Sequence, residues 1–194
     1  MIHADEIAKL REQLVKLGLK LTVNDLMIRA VALTLRSHPE MNCGYNSQTE
    51  SIIRFKTVDI SVAVAFESGL ITPIIRYADY KNLNKISSEI RELAARGKQG
   101  KLKEHEYKGG SFTLSNLGMF GITEFSAVIN PPQGAILAVG GIEEKPVVKE
   151  GAIVPGKTLT LVLSSDHRVI DGAVAAKFLK SLQELLENPV ALTL

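Results

Sequence analysis

Apolar residues recur at helical spacing through the first part of the chain. Ile7, Leu10, Leu14 and Leu17 fall three or four residues apart, with Arg11, Glu12 and Lys16 off that stripe. This spacing predicts an amphipathic helix over residues 4–17, stopped by Gly18. Thr22 is a fair N-cap, and Asp25, three residues on, completes a short-armed capping box. A second helix then runs through Leu26, Ala30, Val31 and Leu35 and stops before Pro39. From about Ile52 the period changes. Residues 58–66 are rich in β-branched side chains, and 70–75 follow after Ser68-Gly69, which predicts two strands with a tight connection. Ile86, Ile90, Leu93 and Ala94 share one face of a third helix, 83–95, with Gly97 as its stop. The polar stretch 98–106 reads as a surface loop or a short helix. Residues 111–115, 134–139 and 158–164 read as strands, the last alternating Leu159, Leu161 and Leu163 with Thr160 and Val162. A final helix over 172–187 carries Val174, Phe178, Leu182 and Leu185. Helices and strands are interspersed with hairpin-like neighbours, so the class is mixed α/β with a partly antiparallel sheet.

The 194 residues suit one domain, with no internal repeat and no linker. Apolar residues make up 45% and charged residues 23%, so a core is affordable and disorder is disfavoured. Lys and Arg total 23 against 21 Asp and Glu, a net +2 spread along the chain. That lacks the basic field of a nucleic-acid binder. The single cysteine, Cys43, excludes an intrachain disulfide and fits a reducing compartment. No apolar run reaches the roughly 20 residues of a membrane span, and the first residues carry no targeting pattern. The expectation is a soluble, intracellular single domain.

Several motifs fail on their context. Residues 151–158 satisfy G-x-x-x-x-G-K-[ST], but a phosphate loop needs a helix after it, and here a strand pattern follows. A hairpin turn carrying Gly and Pro is the better reading. Gly118-Met119-Phe120-Gly121 matches the G-x-x-G of an RNA-binding loop, yet it follows a strand and has no flanking basic residue. The four histidines, His3, His38, His105 and His167, lack ligand spacing, so no metal site is expected. Cys43 has no neighbour that would activate it and reads as an inert thiol.

Two segments remain. His167 lies between a strand and a helix, in Ser164-Ser165-Asp166-His167-Arg168-Val169-Ile170-Asp171-Gly172. It is either a group projected into a cleft or a surface histidine beside a helix cap supplied by Asp171. The second, Ser111-Phe112-Thr113-Leu114-Ser115-Asn116-Leu117-Gly118, is a strand ending in hydroxyl and amide groups at a glycine turn. It is a site or an ordinary strand-to-turn cap.

Taken together, the two segments resemble the chloramphenicol acetyltransferase-like, coenzyme A-dependent acyltransferases. His167-Arg168-Val169-Ile170-Asp171-Gly172 fits their His-x-x-x-Asp-Gly signature. With Asp166 added, it is similar to the version in dihydrolipoamide acyltransferases, the core components of 2-oxo acid dehydrogenase complexes. Phe112 to Gly118 and Ile129-Asn130-Pro131-Pro132-Gln133 are also similar to motifs of that family, in the same order, and the resemblance runs from about Leu21 to the end. Asn116-Leu117-Gly118-Met119-Phe120-Gly121-Ile122 and Ser68-Gly69-Leu70-Ile71-Thr72-Pro73 look most like the pyruvate-type members, with 2-oxoglutarate and branched-chain types as the alternative. The motifs other than His-x-x-x-Asp-Gly disfavour a small-molecule acetyltransferase.

The resemblance implies an α/β chloramphenicol acetyltransferase-like two-layer sandwich, a mixed sheet with helices packed on one side. It implies reversible acetyl transfer between dihydrolipoamide and coenzyme A, with His167 as general base, Ser115 donating to the oxyanion and Asp171 fixing the loop of His167. Ser68, Gly69 and Asn116 are the implied coenzyme A contacts. It also implies a homotrimer that builds a 24- or 60-subunit core. The site would then lie between neighbouring subunits, and the apolar tail 189–194 would dock on another subunit or on its own domain. Implied partners are a lipoyl domain and the 2-oxo acid dehydrogenase and dihydrolipoamide dehydrogenase components, in bacterial cytoplasm or mitochondrial matrix. The chain departs from full-length members in lacking lipoyl and partner-binding domains and an opening Arg-bearing segment, so it reads as a catalytic-core portion. A catalytically silent assembly scaffold is the rival reading.

Overall fold

The structure, a computed structural model, describes residues 1–66 and 69–194. Along the chain it forms β1 (Ile2–His3), α1 (Asp5–Lys16), α2 (Val23–Ser37), β2 (Cys43–Asn46), β3 (Ser51–Arg54), β4 (Ile60–Val62), β5 (Val64–Phe66), β6 (Gly69–Ile71) and β7 (Ile74–Ile75). Then come α3 (Leu83–Lys98), α4 (Glu104–Tyr107), β8 (Phe112–Asn116), β9 (Ala135–Lys149), β10 (Ala152–Ser165) and α5 (Gly172–Glu187). The main sheet has the order β1-β10-β9-β8-β4-β7. Within it β4, β8 and β9 are parallel, while β10, β1 and β7 run antiparallel to their neighbours. The sheet is therefore mixed, as expected.

Strand alternation sorts the two faces. Phe112 and Leu114 of β8, Leu137 and Val139 of β9, and Ile60 of β4 point into one core with Leu26, Ala30 and Leu35 of α2, Ile86 and Ile90 of α3, and Phe178 and Leu182 of α5. The helices thus cover this face, and the ring of Phe178 sits 5.8 Å from that of Phe112. Thr113 and Ser115, one residue out of phase, face away from the helices. Gln133 is buried on that side. It accepts from Thr113 Oγ1 and donates to Ser61 Oγ, which anchors the Asn-Pro-Pro-Gln segment beneath the sheet.

Several expectations shift. Helix α1 buries Ile7 but leaves Leu17 79% exposed, because the helix ends at Lys16 and Leu17 is already its cap. The strand predicted over 58–66 divides at Ala63. Its N–H donates to Leu114 O, after which the chain leaves the main sheet and β5 pairs only with β6. The β2–β3 hairpin went unpredicted, since its short strands carry Gly44, Tyr45 and Asn46 in place of an alternating apolar pattern. Gly97 does not stop α3. It lies inside the helix, where a Cβ would meet Ile71 and Leu102 at 3.2 and 3.3 Å, and the helix ends at Gln99 before the left-handed Gly100. Likewise, Pro155 and Gly156 are not in a turn. They lie within β10, with Pro155 opposite Pro146, and the turn of this long hairpin is at Glu150 and Gly151. Two prolines can face each other in a two-stranded arm because neither has to donate across the ladder. The phosphate-loop reading fails for the stated reason, that a strand follows. In the tail, Leu192 and Pro189 are buried in the chain's own core while Val190 and Leu194 are exposed. No helix among the described residues is long and apolar enough to cross a membrane.

Candidate active site

The C-terminal ends of the parallel strands β4 and β8 lie at one end of the sheet, the position at which α/β folds form crevices. A cavity of about 710 Å³ lies there, lined by Ser115 and Asn116 of β8, Val62 of β4 and the first turn of α2. That turn is seated by the predicted capping box: Asp25 N–H donates to Thr22 Oγ1 at 3.2 Å and Thr22 N–H to Asp25 Oδ2 at 2.8 Å. Asn116 braces the floor. Its Oδ1 accepts from Gly118 N–H at 2.9 Å and its Nδ2 donates to Asn24 Oδ1 at 3.4 Å.

The back wall depends on a β-bulge. Val139 pairs with Leu161 and Ile142 with Leu159, so Gly140 and Gly141 together oppose Thr160. Bulges of this kind re-aim strands beside functional sites. The chain 118–123 packs so closely here that a Cβ on Gly140 would stand 1.9 Å from Thr123 O. Most of the remaining lining is apolar, including Leu70, Met119 and Phe120, the last two 86% and 61% exposed at the mouth. Arg91 and Lys98 of α3 are exposed and add positive charge at the rim.

Gly69 is exposed and opens β6 opposite Phe66, adjacent to the cavity-lining Leu70. Ser68 lies outside the described residues. Arg91, Lys98 and Asn24 went unremarked in the sequence, where an Arg on a helical surface carries no distinguishing pattern. Among the described residues no cluster of three His, Cys, Asp or Glu side chains is placed to hold a metal ion.

His167 is elsewhere. Strand β10 runs against β9, so its C-terminal end lies at the opposite end of the sheet from the cavity. Ser115 is level with Ala138 and hence with Val162, whereas Ser165 is level with Ala135. With strands about 4.8 Å apart and residues rising about 3.3 Å, the Cα atoms of Ser115 and Ser165 are about 14 Å apart. His167 lies two residues further on.

The segment bearing His167 is a tight turn. Asp166 N–H donates to Gly134 O at 2.8 Å, and Val169 and Ile170 N–H both donate to Asp166 O at 3.0 Å. Arg168 closes over it: its Nε donates to Asp166 Oδ1 at 2.9 Å, its Nη2 to Oδ2 at 2.6 Å, and its backbone N–H to Oδ1 at 3.0 Å. This fork holds the Asp166 carboxyl below its ordinary range, and the Arg168 guanidinium also lies 3.8 Å over the Tyr45 ring. The buried Cys43 thiol donates to Val169 O at 3.6 Å, and burial pushes its pKa up, as befits an inert thiol. His167 itself is exposed. Asp171 occupies the N-cap position of α5 with extended backbone, but its side chain makes no capping hydrogen bond. The side-chain cap expected of it is not formed: the residue is exposed, and it joins the helix only through its carbonyl, which accepts from Ala175 N–H.

A family model for the 2-oxoacid dehydrogenases acyltransferase catalytic domain matches residues 1–194. The chain is 45% identical over 195 residues to the dihydrolipoyllysine-residue acetyltransferase component of the pyruvate dehydrogenase complex of Zymomonas mobilis. That match covers 98% of the chain but 44% of the relative, so the chain spans less than half of that protein. The cubic core of a pyruvate dehydrogenase multienzyme complex superposes with TM-score 0.92 at 38% identity, covering 100% of the chain and 81% of that structure. The Azotobacter vinelandii dihydrolipoamide acetyltransferase also gives TM-score 0.92, at 37% identity and with the same coverages. Its structure was solved with enzymatic work on a serine, a histidine and an asparagine in its catalytic mechanism; the histidine follows the serine by 52 residues and the asparagine follows the histidine by four. A chloramphenicol acetyltransferase shares the fold at TM-score 0.58 and 14% identity, over 95% of the chain and 85% of that structure.

Proposed function

The chain belongs to the 2-oxoacid dehydrogenase acyltransferase family, and from that premise we propose that it transfers acetyl groups reversibly between dihydrolipoamide and coenzyme A as the core of a pyruvate dehydrogenase complex. The observation that carries this reading is a spacing. Ser115, His167 and Asp171 stand 52 and four residues apart, as do the serine, histidine and asparagine of the Azotobacter enzyme. Asp171 replaces an asparagine there, so that position retains a short hydrogen-bonding side chain and gains a charge.

Each group has a task. A thiol with pKa near 8.5 is mostly protonated at neutral pH, so attack on a thioester needs a base. His167 takes the thiol proton as the sulfur bonds to the thioester carbonyl carbon. The carbonyl oxygen becomes an oxyanion, to which Ser115 Oγ donates. Collapse breaks the original carbon–sulfur bond, and the imidazolium returns the proton to the departing thiolate. An imidazole titrates near neutrality and serves both directions. Asp171 fixes the segment of His167 through a partner outside its own chain. The apolar cavity beside Asn116 and Gly69 takes the flexible arm of coenzyme A, and Arg91 and Lys98 at its rim face the phosphates. The lipoyl group arrives on a separate domain.

The register favours a shared site. Groups about 14 Å apart or more cannot act on one carbonyl. A second copy must bring its His167 to the Ser115 of the first, which accords with a multisubunit core, a homotrimer in its simplest cyclic form. Exposed Met119 and Phe120 at the mouth, and the exposed apolar Val128 in the segment 122–130, which forms no helix or strand, are surfaces for that copy to cover.

Assay of acetyl-coenzyme A with free dihydrolipoamide tests the reading. His167→Ala is expected to lower kcat by about 10²–10⁴. Ser115→Ala is expected to lower it by about 10²–10³ with little change in KM. Transfer by the His167→Ala protein at the wild-type rate would refute it.

A further inference from the structure

Among the described residues, no side chain of the same chain hydrogen-bonds the His167 imidazole. A general base is ordinarily oriented by a second group, and within this chain the backbone on either side is what is placed to do that work. Both neighbours of His167 are locked to each other: Asp166 and Arg168 form a two-point fork across it. The fork in turn rests on Tyr45, whose ring lies 3.8 Å below the guanidinium. Resting on the proposed acetyl-transfer reading, we propose that Tyr45 and Arg168 are positioning residues that hold His167 in its productive orientation.

The support beneath them closes a circuit. Tyr45 N–H donates to Pro132 O at 2.9 Å, Gly134 N–H to Cys43 O at 2.8 Å, and Asp166 N–H to Gly134 O at 2.8 Å. Gly44, between Cys43 and Tyr45, approaches so closely that a Cβ there would stand 2.0 Å from Pro132 O. Strand β2 is thereby pressed onto the Pro132–Gly134 segment, and that segment carries the base of the His167 turn. Buried Ile170 and the Cys43 thiol pin the far end of the turn. Only the outer side is left to an exposed contact, the stack of Arg168 on Tyr45. The guanidinium is planar and bidentate, so it can grip the carboxylate and lie flat on the ring at once, which an ammonium cannot do. This gives the β2–β3 hairpin, otherwise remote from the chemistry, a role in catalysis.

The test uses Tyr45→Phe, Tyr45→Leu and Arg168→Lys in the intact assembly. Phenylalanine keeps the π face, so Tyr45→Phe is expected to retain kcat within about twofold. Tyr45→Leu is expected to lose roughly three- to fivefold in kcat, and Arg168→Lys about tenfold. KM for dihydrolipoamide and for acetyl-coenzyme A, and the melting temperature, should stay unchanged. Hydrogen exchange by mass spectrometry provides a readout independent of turnover. Amides 166–170 should exchange faster in Tyr45→Leu than in the wild type or Tyr45→Phe. Wild-type kcat in both Tyr45→Leu and Arg168→Lys overturns the proposal, as does equal loss in Tyr45→Phe and Tyr45→Leu. Should the wild type transfer no acetyl group, the functional reading fails separately. Unchanged exchange at 166–170 in Tyr45→Leu would then overturn the positioning role on its own.

Discussion

Mixing two inactive variants tests the division of the site between chains. Ser115→Ala removes the proposed oxyanion donor at the cavity edge, and His167→Ala removes the proposed base at the far end of the sheet. Pairing of β8, β9 and β10 sets Ser115 and Ser165 about 14 Å apart at Cα, with His167 beyond. Proton transfer requires approach to about 3 Å. A gap of that size within one chain means that, on the proposed reading, each working site takes its serine from one copy and its histidine from the next. In a cyclic assembly formed by random mixing of equal amounts, half the serine donors and half the histidine donors are intact. Roughly a quarter of the sites then carry both. Each variant alone should show at most about a hundredth of wild-type turnover. Co-expressed or unfolded and reassembled together, they should recover to about a quarter. Acetyl-coenzyme A formation measures the recovery, and native mass spectrometry confirms mixed particles. Recovery near zero in verified mixed assemblies would refute the shared site and place both groups in one chain.

Two further outcomes follow from packing and charge. Gly140→Ala places a methyl group 1.9 Å from Thr123 O, and because the obstacle is backbone it should destabilise the fold by about 1–3 kcal/mol. A thermal melt, together with loss of transfer as the bulge shifts the cavity wall, checks this. The Arg96 guanidinium, aided by Lys103 N–H, holds the Glu106 carboxyl down to about 2. A depressed carboxylate contributes stability that is present above its ordinary value of 4.5 and is lost as pH falls toward 2. The pair is only partly buried and is screened by solvent, so the contribution is small. Denaturant titrations of the wild type and Glu106→Gln should converge between pH 4.5 and 2; a constant difference across that window would contradict the assignment.

Local pattern was enough for what is locally determined. Helix α5 runs from Gly172 to Glu187, as its apolar spacing required, and the Thr22–Asp25 box formed because cap and partner are three residues apart. The two segments proposed to carry the chemistry also stand out in the sequence. Ser115 ends a strand and His167 follows one, and the His-x-x-x-Asp-Gly and Asn-Pro-Pro-Gln segments are contiguous in the chain. The remainder depended on which strand lies beside which, and at what register. Gly97 looks like a helix stop until Ile71 and Leu102 are packed against it. Pro155 and Gly156 look like a turn until β9 supplies a partner along their whole length. Tyr45 and Arg168 are 123 residues apart in sequence, and nothing in either neighbourhood announces the stack. The separation of Ser115 from His167 is likewise invisible in one dimension. Periodicity records how each segment meets a generic apolar surface, because that depends only on side-chain spacing. Register is fixed by hydrogen bonds and contacts among distant segments, so only the assembled sheet places Ser115 and the segment of His167 at opposite ends of it.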